Sequence, residues 1–470
     1  MTHEKCFPGL IHVTWLFAVA FALAVPASAS WKEKVLYSFQ GGTSDGSVPA
    51  GGVVFDPQGN LYGATTDGGP ASCKPIGGAC GTVFQLSPPA QKGGAWTETL
   101  IYQFQGKGSN DGESPNGGLI IDAQGNLYGV TGYGGTGNCV LLGVSAGCGT
   151  VYEISPPKQK GGAWTETILY SFPTTKQGYV PNGDLVFDGA GNLYGATIFG
   201  GGKGTTCDAF YQYCGAVFRL SPPRTKGGKW TEKVLHAFAG GPVGRKFGDG
   251  AEPNGGLVLD SKGAVYGTTY YGGDEAGECN GGVGGIGCGT VFKLVPPTVK
   301  GGPWTGKVLY RFNGRDGENP PAGVVFGGNG DIYCTALGGG GGNFPSGAVA
   351  QLVPHSNGTW TEHILHSFQD NSDGGVPRSG LVIDSKGSLF GTTTSGGTVG
   401  NGTVFRLRPG AGGSWAFIAL YEFAVEPDGA YPAGGLIFDG NGNLYGTTQR
   451  GGSSQACGNY GCGTVFRAEP

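Results

Sequence analysis

Short apolar runs recur along the chain, each bounded by Gly, Pro, Asn or Asp, and within them hydrophobic and polar positions alternate. From Trp31 to Phe39, the residues Trp31, Glu33, Val35, Tyr37 and Phe39 fall on one face and Lys32, Lys34 and Ser38 on the other, with Leu36 as the exception. A period of two in segments rich in β-branched and aromatic residues predicts strands, and no stretch carries a convincing helical period. Trp31, Trp96, Trp164, Trp230, Trp304, Trp360 and Trp415 each open a phrase like W-T-E-K-V-L-Y-S-F. Three more phrases recur beside it: P-x-G-G-L-V-F-D, then G-N-L-Y-G-T-T around Tyr62, Tyr128, Tyr194, Tyr266, Tyr333, Phe390 and Tyr445, then G-T-V-F-x-L. The D-x-x-G-N link, as in Asp56 to Asn60 or Asp188 to Asn192, is hairpin chemistry, with Asp bonding the backbone and Gly supplying positive φ. Each repeat therefore reads as a four-stranded antiparallel meander.

A meander cannot bury both of its faces alone, and a ring of copies solves that problem. The prediction is an all-β, seven-bladed β-propeller of four-stranded antiparallel blades. A linear solenoid is the rival. The last copy stops just after Phe466 and lacks its fourth strand, whereas the first copy opens with a spare one. Closure by residues 31–39, completing the blade built from about 433 to 467, uses both loose ends, and an open solenoid would need polar caps that are not visible.

Composition fits. Of 470 residues 100 are Gly, far above the usual share of about 7%, yet there are only 29 Pro and no three-residue period, which excludes collagen. A hydrophobic content of 38% excludes disorder, and 29 basic against 33 acidic residues leave no electrostatic footprint for nucleic acid or an anionic membrane surface. Residues 1–29 read as a cleaved secretory signal, with Lys5, an apolar run from Val13 to Val25, and Ala27-Ser28-Ala29. Residues 30–470 are then one propeller domain, expected to be a secreted monomer without a transmembrane segment. Cys6 precedes the apolar run and does not suit lipid attachment.

Ten cysteines fall in close pairs between the G-N-L-Y-G-T-T and G-T-V-F strands: Cys73 with Cys80, Cys139 with Cys148, Cys207 with Cys214, Cys279 with Cys288, and Cys457 with Cys462. In an exported protein these predict five local disulfides stapling long loops, and no pair has zinc-ligand spacing. Cys334 is left over and reads as a buried thiol. Several motifs dissolve in context. Gly143-Val144-Ser145-Ala146-Gly147 matches a hydrolase elbow but has no helix after it, and Gly282, Gly284 and Gly287 lack a helix N-terminus to bind a dinucleotide. Asp439, Asn441 and Asn443 start like a calcium loop whose closing position would be Arg450. His236 and His366 replace a repeated Tyr and read as packing residues, and Lys92, Lys160, Lys226 and Lys300 as a solvated rim. An Asp-Gly pair precedes the Pro in six repeats, at Asp45, Asp111, Asp249, Asp316, Asp373 and Asp428. Turn chemistry explains it, with calcium as the one cofactor such carboxylates leave open.

The phrases V-L-Y-S-F, D-G-x-x-P, G-N-L-Y-G-T-T and G-T-V-F resemble those of secreted bacterial proteins built from tandem GloVer repeats, also called choice-of-anchor tandem-repeat proteins. That resemblance covers nearly the whole chain and implies no established activity. It implies a C-terminal anchoring segment in many members, whereas here Pro470 follows the last strand almost directly, which favours plain secretion.

A catalytic group is needed once, while scaffold residues recur, so function should lie where the repeats differ. At the expected tunnel mouth these breaks are Asn116, Asn182 and Asn254, then Asp184 and Arg378. One carboxylate and one Arg form no acid/base pair, so no residue is assigned a catalytic or metal role. The reading is a secreted, non-catalytic propeller for extracellular binding or surface interaction with a glycan or protein. The alternative is a hydrolase or lyase acting on an extracellular polysaccharide or lactone at the tunnel mouth. Repeats five and six have shorter loops, Leu337 to Ser346 and Thr394 to Asn401, and should form a notch beside Arg378. Tyr133, Phe199, Tyr211, Tyr270 and Tyr271 are loop aromatics suited to stacking on a ligand, with Tyr270 and Tyr271 the leading pair.

Overall fold

The computed structural model describes residues 31–470 apart from 70–72, 74–78, 92, 142, 160, 175, 202–213, 226, 241–247, 274–286, 342–345, 372 and 425–426. The expected signal with Cys6, and Cys207, Cys279, Tyr211, Gly282, Gly284, Lys92, Lys160 and Lys226, lie outside the described residues.

Seven antiparallel sheets form the blades of a β-propeller, and the described residues hold no α-helix. Blade 1 runs outward from Gly46–Pro49 and Val54–Phe55 through Leu61–Gly68 and Thr82–Ser87 to Thr97–Gln103. Blades 2 to 6 repeat that order and end on outer strands Thr165–Ser171, Thr231–Ala237, Thr305–Arg311, Trp360–Ser367 and Trp415–Glu422. Blade 7 is built from Ile437–Phe438, Leu444–Thr448 and Thr464–Glu469, and its outer strand is the N-terminal segment Lys32–Ser38, which pairs antiparallel with Thr464–Glu469. The ring closes as the loose ends predict. Leu36 has a cause too: the pairing skips from Val35 to Tyr37, a β-bulge repeated in the outer strand of every blade.

The core lies between blades. Phe39, ending the blade 7 outer strand, meets Phe84 of blade 1 at 5.0 Å, and Phe104 with Tyr152, Phe172 with Phe218, Phe238 with Phe292, Phe368 with Phe405 and Phe423 with Phe466 repeat the edge contact. All six outer-strand rings are buried, each worth roughly 1.5–3 kcal/mol of transfer free energy. The Trp of each phrase packs back on the preceding blade, as Trp164 does on Tyr62 and Trp415 on Tyr333.

A second suture is polar. The residue before the inner-strand Pro has φ between 52° and 58° in every blade: Val48, Ser114, Val180, Glu252, Asn319, Val376 and Tyr431. A side chain there costs about 1–3 kcal/mol, most of all for Val. That backbone turns its N–H onto the preceding blade, where it donates to the carbonyl of Cys462, Cys80, Cys148, Cys214, Cys288, Ser346 or Asn401 respectively. The next residue, Pro, sits so close that a Cβ on Gly81 would come 2.5 Å from Pro115. One glycine per blade thus serves inter-blade approach, since Gly149, Gly215, Gly289, Gly347, Gly402 and Gly463 meet the next blade's Pro in the same way.

The Asp-Gly residues latch the same joints. The Asp45 carboxylate accepts from the Tyr37 hydroxyl and from the Gln40 and Gly46 N–H groups, and Asp111 repeats the pattern with Tyr102, Gln105 and Gly112. Asp316 bonds Tyr310 and Asp428 bonds Tyr421, while His236 and His366 fill the tyrosine's role against Asp249 and Asp373.

Three disulfides close as expected, Cys73–Cys80, Cys139–Cys148 and Cys457–Cys462. Cys214 and Cys288 are also disulfide-bonded, and Cys334 is free and buried. No described helix is long and apolar enough to cross a membrane.

Candidate functional site

The P-x-G-G phrases place seven inner strands around a central channel with a volume of 490 Å³. Those strands touch backbone to backbone. A Cβ on Gly117 would come 2.6 Å from the Gly183 carbonyl oxygen, and one on Gly183 would come 2.3 Å from that of Gly255. Side chains at the glycine positions would therefore split the ring, and chemistry enters only through the variable x position and through substitutions of a glycine.

All five channel residues expected from the sequence line this space: Asn116, Asn182, Asp184, Asn254 and Arg378. Ala50, Pro321 and Ala433 occupy the x position in the remaining blades, so the polar groups gather on blades 2 to 4 and face Arg378 of blade 6. The Asn182 side-chain NH₂ donates to the Asn254 side-chain oxygen Oδ1, which also accepts the Gly255 N–H. Asp184 accepts the Gly118 N–H at 2.6 Å, which ties blade 3 to blade 2. Its carboxylate is encircled by channel wall yet open to channel solvent. That crowding raises its pKa above the ordinary value, and the Gly118 N–H opposes the rise.

Tyr270 and Tyr271 do not line the channel. Their rings meet edge to face at 4.7 Å, half-buried, and the Tyr270 carbonyl accepts from the Asn319 side chain. Tyr270 does share the field of Arg378: burial raises its phenol, Arg378 lowers it, and Glu252 and Glu318 raise it further. The other described loop aromatics pack: Phe199 stands 5.2 Å from Tyr179, and Tyr133 packs against the core between blades 2 and 3. Sequence reasoning missed Glu252, which burial pushes to about 7. The available signal was a carboxylate where the other repeats carry Val48, Ser114, Val180, Asn319, Val376 and Tyr431.

Ser145 of the hydrolase-like motif lies in a small hairpin, Val140–Leu141 with Val144–Ser145, inside the Cys139–Cys148 loop, and no elbow forms there. The Asp439 carboxylate is taken up by the Asn441 and Asn443 N–H groups, the Asn443 side chain and the Tyr445 hydroxyl. Among the described residues no three His, Cys, Asp or Glu side chains gather as a metal site.

Similarity to known structures extends over most of the ring at low identity. Pseudomonas fluorescens PhoX in complex with vanadate shares 12% identity over 94% of this chain and 95% of its own, with a TM-score of 0.43. The PQQ-bound aldose sugar dehydrogenase of Streptomyces coelicolor shares 14% over 94% and 99%, with a TM-score of 0.39. The gluconolactonase XC5397 of Xanthomonas campestris shares 13% over 74% and 82%, with a TM-score of 0.37. No curated protein sequence matches. The Gloeobacter/Verrucomicrobia repeat matches residues 24–281 and again 278–470, and the chain belongs to that repeat family.

Proposed function

We propose that this chain is a secreted, non-catalytic binding propeller whose ligand, a glycan or a protein segment, is held at the channel by Asn116, Asn182, Asn254, Asp184 and Arg378. The observation that carries this reading is the gathering of symmetry-breaking polar groups on one lumen whose walls are otherwise glycine and apolar residues apart from Ser379, whose hydroxyl is bonded to Thr392. The Asn182–Asn254 and Asp184–Gly118 bonds hold three of those groups in place before a ligand arrives, which lowers the ordering cost of binding. Three neutral amides, one carboxylate and one guanidinium suit hydroxyls and carbonyls, and the single carboxylate lacks a second for acid/base work. The stapled loops accord with an oxidising compartment.

A glycan array probed with wild-type protein and with Arg378→Ala and Asp184→Ala tests this. Both variants should lose the signal, Arg378→Ala at unchanged Tm and Asp184→Ala at no more than the cost of its Gly118 hydrogen bond, about 1–3 kcal/mol, and ligand protection from hydrogen exchange that maps instead to the D-x-x-G-N turns would refute the channel. The rival hydrolase or lyase rests on Glu252, two residues before the channel-lining Asn254 but outside the lining itself, whose carboxyl burial pushes up to about 7 as it does those of the scaffold residues Glu98, Glu232 and Glu362. Turnover of a lactone or polysaccharide by the wild type that Glu252→Gln abolishes would establish that rival.

A further inference from the structure

Where the short loop of blade 6 meets the cysteine loop of blade 7, a cleft of 550 Å³ opens, separate from the channel. Arg450 lies in it with its guanidinium over two rings, 4.2 Å from the Tyr431 centroid and 4.6 Å from that of Tyr460. Asn401 and Asn459 complete the polar lining.

Each part of this arrangement breaks the repeat. Arg450 stands where other blades carry Asp67, Tyr133, Phe199, Tyr271, Gly338 and Ser395. Tyr431 occupies the strained position before Pro432, with φ 58°, and Tyr460 is 65% exposed, an unusual exposure for an aromatic side chain. Among the described residues no carboxylate is paired with the Arg450 guanidinium. Asp428 lines the same cleft, but its oxygens are taken by the Tyr421 hydroxyl and the Ala424 and Gly429 N–H groups. A guanidinium stacked on rings keeps its N–H donors in plane at its edge, already oriented for a planar anion.

We propose that this cleft binds the carboxylate of an acidic sugar, a uronate unit, with Arg450 as the anion-recognising residue. The guanidinium edge takes the carboxylate in two parallel hydrogen bonds. An exposed Tyr460 face suits the apolar face of a pyranose ring, and the Asn459 amide suits its hydroxyls, as does the side-chain oxygen of Asn401, whose NH₂ is held by the Ala424 carbonyl. This deepens the binding reading by naming a ligand class, but it does not depend on the channel.

Calorimetric titration with digalacturonate, its neutral counterpart, acetate and a short peptide ending in a free carboxylate tests it. The uronate should bind best, and Arg450→Ala should weaken it by about tenfold or more, as loss of a charge-assisted bond implies. Tyr460→Ala, a change at an exposed side chain, should weaken it at unchanged Tm, and Val299→Ser on an exposed loop should do nothing. The proposal is overturned if wild type does not bind the uronate, if Arg450→Ala binds it equally, or if acetate, the neutral sugar or the peptide matches it. Because the channel is tested at Arg378 and this cleft at Arg450, either reading can fail alone.

Discussion

Cys334 lies directly across the strand pair from Ala350, at the place where every other blade sets a glycine against an aromatic ring. The others are Gly63 with Phe84, Gly129 with Tyr152, Gly195 with Phe218, Gly267 with Phe292, Gly391 with Phe405 and Gly446 with Phe466. A Cβ on Gly63 would come 2.5 Å from the Phe84 ring, so the ring demands the glycine. Blade 5 exchanged both partners together, and the thiol fills part of the space the ring vacated.

Ala350→Phe alone should therefore overpack blade 5 and destabilise it by about 1–3 kcal/mol, and Cys334→Gly alone should leave a cavity. The double variant restores the repeat pair and should recover most of the loss, which a double-mutant cycle by thermal melting measures. Burial pushes the Cys334 thiol up to about 12, so Ellman's reagent should label it only after unfolding.

The strands, the seven-fold repeat and the closure were legible because each depends on local pattern: period two, turn residues and two unmatched chain ends. Channel residues were legible because departure from a repeat is visible without coordinates. The cleft at Arg450 was not, since Tyr431, Arg450 and Tyr460 belong to three different phrases that only folding brings together. Nor was the ring of positive φ, because Val48, Val180 and Val376 are residue types that usually argue against it. The Cys334 exchange was half visible: the lost glycine showed, but its partner across the strand did not.

Closure of the ring predicts a severe effect of a small cut. Removing residues 31–39 strips the pairing partner from Thr464–Glu469 and removes Leu36 and Phe39 from the cluster they share with Val53, Phe84 and Val465. The truncated chain should aggregate or melt far below the parent, as size-exclusion chromatography and calorimetry would show. Retention of both the parent's elution volume and its Tm would contradict a closed ring.

The Asp-Gly latches predict indifference to calcium. Asp111 already accepts three hydrogen bonds, so Asp111→Ala should cost about 1–3 kcal/mol by leaving the Tyr102 hydroxyl and two N–H groups short of a partner. Chelator should leave the wild-type Tm unchanged. A rise of several degrees on adding calcium would instead assign these carboxylates to a cation.

Stability should decline from acid to alkaline pH, because the joints between blades bury carboxyl groups beside other acids. Glu33, Glu98, Glu166, Glu232 and Glu362 occupy one repeated outer-strand position, each with a buried oxygen that has no hydrogen-bond partner. Burial raises all five, Glu33 and Glu166 to about 8 and Glu98, Glu232 and Glu362 to about 7. The nearby Asp428, Asp111, Asp45 and Asp316 add to the rise for Glu33, Glu166, Glu98 and Glu362. A folded-state pKa above the unfolded one means that the folded chain holds the proton more tightly. The associated stability is complete below about pH 4.5 and is lost as pH rises through 7 to 8. Asp188, Asp260 and Asp439 have the opposite shift, lowered by hydrogen bonds within their turns, so their contribution is lost only as pH falls below the usual carboxylate range. Together they place the maximum on the acid side of neutrality. Thermal melts from pH 4 to 9 should show Tm falling from about pH 5 and levelling off above about pH 8, and Glu98→Gln with Glu166→Gln should flatten that fall while raising Tm at pH 8.5. A Tm that climbs toward pH 8.5 in the wild type, or a slope unchanged in the double variant, would show that these glutamates are ionised in the folded ring.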